Sequence, residues 1–352
     1  MKYIIVDGNN MGIRNAFANS ELKNEDGIPT SVHYGFFNSI IKLIEQFPDR
    51  EMMIAWDGKS KRRIQEAKQA VEKGLINSGY KENRISDKQE IQDFFTQLPH
   101  LKKAINQAGI SQIKLNDYEA DDVIASYCKK MRDENDIIVV TSDKDYFQIL
   151  HDQVTLWDGM KGELTNLSSW QNKNQITPKQ YIDVGALMGD NSDNIFGIPG
   201  WGEKTALKCV RQNKTWQAII NKYHTEYDYL QNNYPPITDE SEFDRLKNIK
   251  TKSGKPKYPE IGIGMPFTGV ALAIEDKKVK NIPKSVLMAL IFEERVKLAY
   301  SLKKMDDDIP SLPPIVSPEV NCQNLIEYFN YYDIQSLQNN LNLFQINSNK
   351  AI

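Results

Sequence analysis

Nine acids, Asp7, Asp57, Glu119, Asp121, Asp122, Asp143, Asp145, Asp190 and Asp193, recur in short motifs along the chain. Asp7, Asp57 and Asp143 each follow a short apolar run, in KYIIVD, EMMIAWD and DIIVVTSD, and the others fall in EADD, SDKD and GDNSD. Carboxylates brought together raise each other's pKa and resist crowding unless cations lie between them. The candidate ligands are all oxygen and no Cys/His cluster accompanies them, so a site for a hard divalent ion, magnesium or manganese, is expected.

Something must bring those acids to one place. The apolar runs lack polar alternation, as in parallel strands buried on both faces, so their terminal acids should emerge along one side of one sheet. That side is where open α/β sheets bind ligands. Between the first two strands, Val32 to Phe47 carries a helical pattern (Phe36, Phe37, Ile40, Ile41, Ile44), the opening of a doubly wound fold. Residues 58–84 are rich in Lys and Arg and poor in large apolar side chains, so the segment should stand off the sheet near Asp7 and Asp57. A helix over about 88–108, a strand over 112–115 and a helix over 119–131 follow. The last holds Glu119, Asp121 and Asp122 in its first turn. Acids there also complement the helix dipole, but three together after a strand of the same sheet favour a functional reading. A strand over 137–141 leads into Asp143-x-Asp145, whose carboxylates share one side if the chain stays extended.

Further on, 178–188 reads as a helix and GDNSDNIFGIPGWGEKTA as a glycine-rich turn feeding a helix from about Glu203. Gly197, Gly200 and Gly202 would let backbone amides face a phosphate chain, with Lys204 adding charge. Such contacts carry no base information, so binding should be sequence-independent. Residues 225–284 show no clear period and read as an insertion of loops and short helices. A helix over 285–304, a Pro-rich break and two short helices at 324–331 and 334–343 complete the chain.

The 352 residues, 40% hydrophobic and 26% charged, suit a globular protein of two domains. The formal charge of −3 does not exclude a nucleic-acid partner, because clustered acids that two divalent ions would neutralise are counted against basic patches elsewhere. Cys128, Cys209 and Cys322 are widely spaced and odd in number, which suits reduced thiols and a cytoplasmic location. The N-terminus reads as a strand rather than a signal peptide. No stretch reaches the roughly 20 apolar residues of a membrane span, so no membrane partner is expected.

In this order, Asp7, Asp57, EADD, TSDKD and GDNSDNIFGIPGWGEKTA closely resemble the flap endonuclease and 5′-nuclease family, which includes bacteriophage RNase H and 5′-exonuclease and the polymerase I 5′-nuclease domain. The resemblance covers about residues 1–222 well and 285–345 more weakly. It implies a PIN-like, mostly parallel α/β sheet flanked by helices, a helical arch, and a helix–three-turn–helix α-helical subdomain that grips duplex DNA. The domain organisation expected is a nuclease domain over 1–175 with a basic arch segment at 58–100, and a DNA-binding and C-terminal helical region over 176–352. By the same resemblance, Asp7, Asp57, Glu119 and Asp121 serve one metal or its waters. Asp143, Asp145 and Asp193 serve the second, with Asp122 and Asp190 supporting. Lys81 and Arg84, in Tyr80-Lys81-x-x-Arg84, match the arch cations on the scissile phosphate, Arg62 and Arg63 look like the start of the arch, and GIPGWG resembles the turn that holds a potassium ion against DNA phosphate. The spacing from Asp57 to Lys81 is longer than in phage relatives, 225–284 looks enlarged, and the absence of polymerase motifs resembles a free-standing nuclease.

The activity so implied is a divalent-metal-dependent 5′→3′ exonuclease and flap endonuclease, acting on DNA with 5′ ends, flaps or nicks and on RNA-primed DNA, in primer removal, replication or repair. It is expected to act as a monomer without a covalent intermediate, the two ions stabilising the oxygens of an in-line displacement. A PIN-type endoribonuclease would use a similar carboxylate site but would not explain GIPGWGEKTA or the basic segment. A catalytically silent junction binder would gain by shedding the acids. Finally, residues 338–344 (QNNLNLF) fit a loose sliding-clamp-binding pattern, although Leu341 and Phe344 also fit the apolar face of a C-terminal helix, which is the stronger reading.

Overall fold

The computed structural model describes the chain apart from residues 19, 77, 83–87, 251–253, 255, 259–262, 264, 266, 280–283 and 349–352. Arg84 lies outside the described residues. The chain divides into two compact units: Met1–Lys61, Ile85–Asn172 and Met305–Ile352 form the first, Arg62–Arg84 and Lys173–Lys304 the second. The division near residue 172 lies close to the boundary expected at 175. However, residues 62–84 group with the second unit and residues 305–352 with the first.

In the first unit, β1 (Lys2–Asp7), β2 (Glu51–Trp56), β3 (Ser111–Lys114), β4 (Asp136–Val140), β5 (Val154–Asp158) and β6 (Glu163–Thr165) form a sheet in the order β3-β2-β1-β4-β5-β6. All neighbours pair parallel except β5 and β6. The chain leaves β1 towards β2 on one side and later returns to place β4 on the other. The C-terminal ends of β1, β2 and β4 therefore surround a topological switch point, where connecting loops diverge and leave a crevice. The registers Asp7 with Ala55 and Val6 with Val140 bring Asp7, Asp57 and Asp143 to that crevice.

Helices α1 (Gly8–Ala18), α2 (Ser31–Gln46), α4 (Gln89–Gln107) and α5 (Ala120–Met131) accompany the sheet, and α6 (Leu167–Asn174) follows its last strand. Between β2 and α4, α3 (Lys61–Glu72) opens the basic segment. A separate helix α1 directly after Asp7 was not distinguished in the sequence. After β4 the chain does not stay extended: Asp143 caps a 3-10 turn over Lys144–Ile149 and accepts the Asp145 N–H at 2.9 Å. The expectation of an extended Asp143-x-Asp145 is thereby corrected. A short polar side chain that captures the amide two residues on favours a turn over a strand.

The C-terminal helices α14 (Cys322–Tyr331) and α15 (Leu341–Ser348), with a 3-10 turn at Gln335–Asn340 between them, close one side of this core. Phe344 is 1% exposed and stands edge-on to Phe37, while Leu341 and Leu343 pack against the same cluster. Gln338 donates to Asn330 Oδ1 at 2.7 Å. Leu341, Leu343 and Phe344 of the clamp-like heptad therefore pack with the core, and a docking peptide would have to lift them out of it. Replacing Leu343 and Phe344 together by Ala is expected to remove several kcal/mol of stability, seen as a melting temperature lower by several degrees; unchanged melting would point back to an accessible peptide.

The second unit is helical: α7 (Pro178–Met188), α8 (Glu203–Asn213), α9 (Trp216–Asn233), α10 (Glu240–Lys247), α11 (Thr268–Glu275), α12 (Lys284–Ile291) and α13 (Glu293–Lys303). Thr177 and Gln180 cap α7 reciprocally and Pro178 occupies its first turn, the sequence signature of a helix start. Within 225–284 the described residues form the end of α9, α10 and α11, in keeping with the short helices expected there. Leu246, Tyr258 and residues 270–274 are buried, the Tyr258 hydroxyl donates to Glu275 at 2.7 Å, and Thr268 Oγ1 accepts the Ile237 N–H at 2.8 Å. The helix expected over 285–304 breaks at Phe292 into α12 and α13.

Candidate functional site

At the switch point the side chains are held by backbone donors and by two asparagines that follow Asp7. Asp7 accepts the Asn10 N–H and the Tyr146 hydroxyl, both at 3.0 Å. Asn9 Oδ1 accepts the Asp57 N–H at 3.1 Å, and Asn10 Oδ1 accepts the Ser142 hydroxyl at 3.1 Å, so the two residues tie the end of β1 to the ends of β2 and β4. Asp57 in turn accepts the Ala120 N–H at 2.9 Å, which fixes the start of α5 beside it. At that start Glu119 and Asp122 form a reciprocal capping box. Asp122 is almost wholly buried, and its other oxygen accepts the Asp306 N–H at 2.7 Å. Asp121 accepts the Asp122 N–H at 2.8 Å.

The electrostatics follow from this crowding. Asp7 is pushed up to about 7, first by burial and then by the neighbouring Asp57, with Asp143 adding to the effect against the Asn10 and Tyr146 hydrogen bonds. Burial also raises the Tyr146 phenol well above its ordinary value, and Asp7, Asp121, Asp143 and Asp57 all push the same way. A tyrosine so placed stays protonated and donates to Asp7. Asp7, Asp57, Asp121 and Asp143 thus share one electrostatic neighbourhood, whose cost a cation would relieve.

Among the described residues no three His, Cys, Asp or Glu side chains close on one point as a ready-made cage. By donor chemistry and by the raised Asp7, the residues present fit hard divalent ions.

The other expected residues lie in the second unit. Asp190 and Ile195 exchange backbone hydrogen bonds at 2.8 Å across a tight turn. The Asp190 carboxylate accepts from Lys303 Nζ at 2.7 Å and from the Ser192 hydroxyl at 2.6 Å. Burial works against its charge, but Lys303, itself 4% exposed, and the Ser192 donors outweigh burial and lower its pKa. Asp193 is buried, and its carbonyl accepts the Lys81 N–H at 2.9 Å. Asn194 donates to Ser78 and to the Gly79 carbonyl, both at 2.7 Å, so the turn after Asp190 cradles the segment carrying Lys81.

Arg62 and Arg63 differ from the expected exposed basic face. Arg63 is 1% exposed. Arg62 donates to the Ser301 carbonyl at 2.6 Å and the Lys304 carbonyl at 2.7 Å, which satisfies the C-terminal end of α13. Arg62 thus braces the second unit. The signal was Ala67 and Ala70 at helical spacing in the basic segment, small residues that let α3 pack on its neighbours.

The three glycines of the turn have different reasons. At Gly197 a Cβ would lie 2.3 Å from the Gly189 nitrogen, so the two strands of the loop touch backbone to backbone. Gly200 has φ of 78°, a conformation that side chains disfavour. Gly202 caps α8 with open space around it, and Lys204 is exposed in the first turn of that helix. Helix amides, an exposed lysine and a flat glycine turn form a surface suited to phosphate. Lys204→Ala should weaken duplex binding and make its salt dependence shallower by about one unit, measured by titration at several salt concentrations; an unchanged slope removes Lys204 from the interface.

Sequence reasoning missed Asn9, Asn10, Tyr146 and Lys303. Two asparagines directly after a strand-terminal aspartate were the available signal for the first pair. Tyr146 and Lys303 gave none, since their roles depend on contacts 139 and 113 residues away in the chain.

Residues 2–181 match the family model described as 5'-3' exonuclease, N-terminal resolvase-like domain, and residues 176–251 the one described as 5'-3' exonuclease, C-terminal SAM fold. The second match takes in α9 and α10, so the family pattern reaches into the region read as an insertion. The chain is 33% identical over 227 residues to the 5'-3' exonuclease of Bacillus subtilis, covering 62% of this chain and 73% of that protein. It is 34% identical over 225 residues to DNA polymerase I of the same organism, covering 62% of this chain but about a quarter, 24%, of that protein. Among solved structures, the fold is similar to that of T5 5'-exonuclease with bound divalent zinc ions (TM-score 0.58, 18% identity, 99% of this chain and 100% of that one). It is also similar to flap endonuclease-1 from Methanococcus jannaschii (TM-score 0.51, 16% identity, 99% and 93%). With the family model spanning residues 2–181 and a relative matched over most of its length, the chain belongs to the 5'-3' exonuclease family.

Proposed function

We propose that this protein is a divalent-metal-dependent 5′→3′ exonuclease and structure-specific flap endonuclease, hydrolysing phosphodiesters of DNA and RNA-primed DNA during primer removal, replication or repair. The observation that carries the reading is the gathering of carboxylates from β1, β2, α5 and β4 at the switch point, where Asp7 is pushed up to about 7 by burial and its neighbours. Asp7, Asp57, Glu119, Asp121, Asp143 and Asp145 would hold two divalent ions, magnesium or manganese, directly or through water, and by the family resemblance Asp193 is a further candidate ligand. When bound, such ions supply charge stabilisation to the attacking and leaving oxygens of an in-line displacement. Asp122 and Asp190, engaged by backbone donors and by Lys303, act as braces.

Around that centre the chain's own groups do the positioning. Tyr146 and Asn10 orient Asp7, the Ala120 amide orients Asp57, and the Asp145 amide orients Asp143. Lys81 and Arg84 are assigned to the scissile phosphate, and the turn over 197–202 to a potassium ion against duplex phosphate. Lys81 sits at φ of 58°, a backbone conformation uncommon for a side-chain-bearing residue and enriched at functional sites. Lys81→Ala should slow single-turnover cleavage more than it weakens binding, since a cation on the scissile phosphate acts mainly on the transition state. Loss of binding with an unchanged chemical step would make Lys81 a backbone contact only.

The reading as a whole is tested with a 5′-labelled flap, a nicked duplex, an RNA-primed duplex and single-stranded RNA, each with and without magnesium. Magnesium-dependent cleavage of the flap and the RNA-primed duplex is expected. Cleavage confined to single-stranded RNA would replace the proposal with an endoribonuclease.

A further inference from the structure

On the β3 side of the carboxylates lie two lysines that the catalytic reading leaves unused. Lys102, in α4, places its ammonium 4.6 Å from the centre of the Trp56 ring. The indole beneath it is locked: Trp56 Nε1 donates to Gln112 Oε1 at 3.0 Å, Gln112 Nε2 donates to the Lys102 carbonyl at 2.8 Å, and Phe36 stacks on the ring at 5.7 Å. The platform and the backbone that carries the ammonium are therefore fixed to each other through one glutamine. Trp56 directly precedes Asp57 in the chain, and Asp57 acts electrostatically on the Lys102 ammonium above the ring. Lys114 ends β3, with Trp56 as its register partner.

The two cations repel each other. Burial first and Lys114 next depress Lys102 to about 8, with Asp57 acting in the opposite sense. Among the described residues no carboxylate forms an ion pair with either lysine. Lys59 and Lys61 are exposed nearby, their backbone amides donating to the carbonyls of Asn116 and Asp117 in the loop after β3. A half-buried ammonium fixed on an aromatic ring beside a second ammonium is costly for the protein alone. An anion shared between them removes the repulsion and offsets the desolvation.

We propose that Lys102 and Lys114 form a seat for a phosphate of the bound nucleic-acid strand, next to the scissile one, on the β3 side of the carboxylates. The proposal rests on the nuclease reading above and deepens it. The two lysines are positioning residues: they set the register of the strand against the carboxylates and do not touch the scissile bond. The Trp56 platform fixes where the Lys102 charge sits, so the seat requires charge at that point and tolerates arginine, which stacks on aromatic faces. The electrostatic share of binding follows counterion release, with a slope change of about 0.7–0.9 for each phosphate that the protein no longer neutralises.

The experiment uses the full chain with a 5′-flap substrate. Binding is measured by salt titration in the Asp143→Asn background, and single-turnover cleavage in the otherwise native protein, for Lys102→Ala, Lys114→Ala, the double variant and Lys102→Arg. The expected result is weaker binding with a shallower salt slope in each Ala variant, a raised substrate requirement for cleavage, recovery with Lys102→Arg, and melting temperatures no lower than the parent's. Unchanged slope and unchanged cleavage in the double variant overturn the seat. So does a lowered melting temperature in Lys102→Ala that Lys102→Arg does not restore while the slope stays put, because that outcome makes Lys102 a packing residue. Failure of the parent protein to cleave the flap, with binding slopes that still respond to the lysines, instead overturns the nuclease reading and leaves an anion seat.

Discussion

Asp143→Asn, and separately Asp121→Asn, is expected to abolish flap cleavage while leaving flap binding intact or tighter. Asp143 shares the electrostatic neighbourhood of Asp7 and caps the turn at Lys144–Ile149 through the Asp145 amide, a hydrogen bond that an asparagine oxygen still accepts. The substitution therefore keeps the local fold and removes a charge from the proposed metal site. Ions at such a centre supply several kcal/mol of transition-state stabilisation, and each 1.36 kcal/mol is tenfold in rate, so a loss of about a thousandfold or more follows. Binding moves the other way because a negative charge facing phosphate is gone. Single-turnover rates at saturating magnesium, set beside binding titrations of the same variants, check both halves; turnover close to the parent's in either variant would sink the metal assignment.

The second large effect is a fall in the stability of the metal-free protein as pH rises, carried by Asp7. Its folded pKa lies at about 7 against an ordinary value of 3.8, from burial first and Asp57 next. A carboxyl whose folded pKa is raised binds its proton more tightly in the native state. Its contribution is therefore favourable at low pH and is lost as pH rises from about 4 through about 7. The full difference corresponds to roughly 4 kcal/mol at 1.36 kcal/mol per pH unit. At about 2–4 °C per kcal/mol for a unit of this size, the melting temperature should drop by several degrees between pH 5 and pH 8. Asp183, buried in the second unit and pushed up to about 6 by burial, falls in the same direction but finishes near pH 6. The comparison with Asp7→Asn isolates the first group: the variant should be more stable than the parent at pH 8, with a flatter profile. Divalent ions should raise the melting temperature of the parent at pH 8 more than that of the variant. A parent profile that matches the variant's, with and without ions, rules out a raised Asp7.

Much of the site was legible in the amino-acid sequence, and for a local reason. A strand buried on both faces must be a short uninterrupted apolar run, so KYIIVD, EMMIAWD and DIIVV announce themselves, and in a parallel sheet their C-terminal residues necessarily share one side. Asp7, Asp57 and Asp143 follow from that alone. The capping signals were local too: Glu119 to Asp122 for α5 and Thr177 to Gln180 for α7.

Properties that depend on which surface meets which were decided only by tertiary structure. The basic composition of 58–84 gave no indication that Arg63 would be buried or that Arg62 would satisfy the carbonyls of Ser301 and Lys304, because those partners lie more than two hundred residues away. The heptad at 338–344 has the same sequence whether it docks elsewhere or packs at home; that Phe344 packs edge-on to Phe37 is visible only in the tertiary structure. Amino-acid type and spacing thus determined the sheet, its direction and the acids at its end, since these depend on backbone geometry and near neighbours. Long-range packing decided which charges face outward, which serve as braces, and that a tyrosine would be pressed against Asp7.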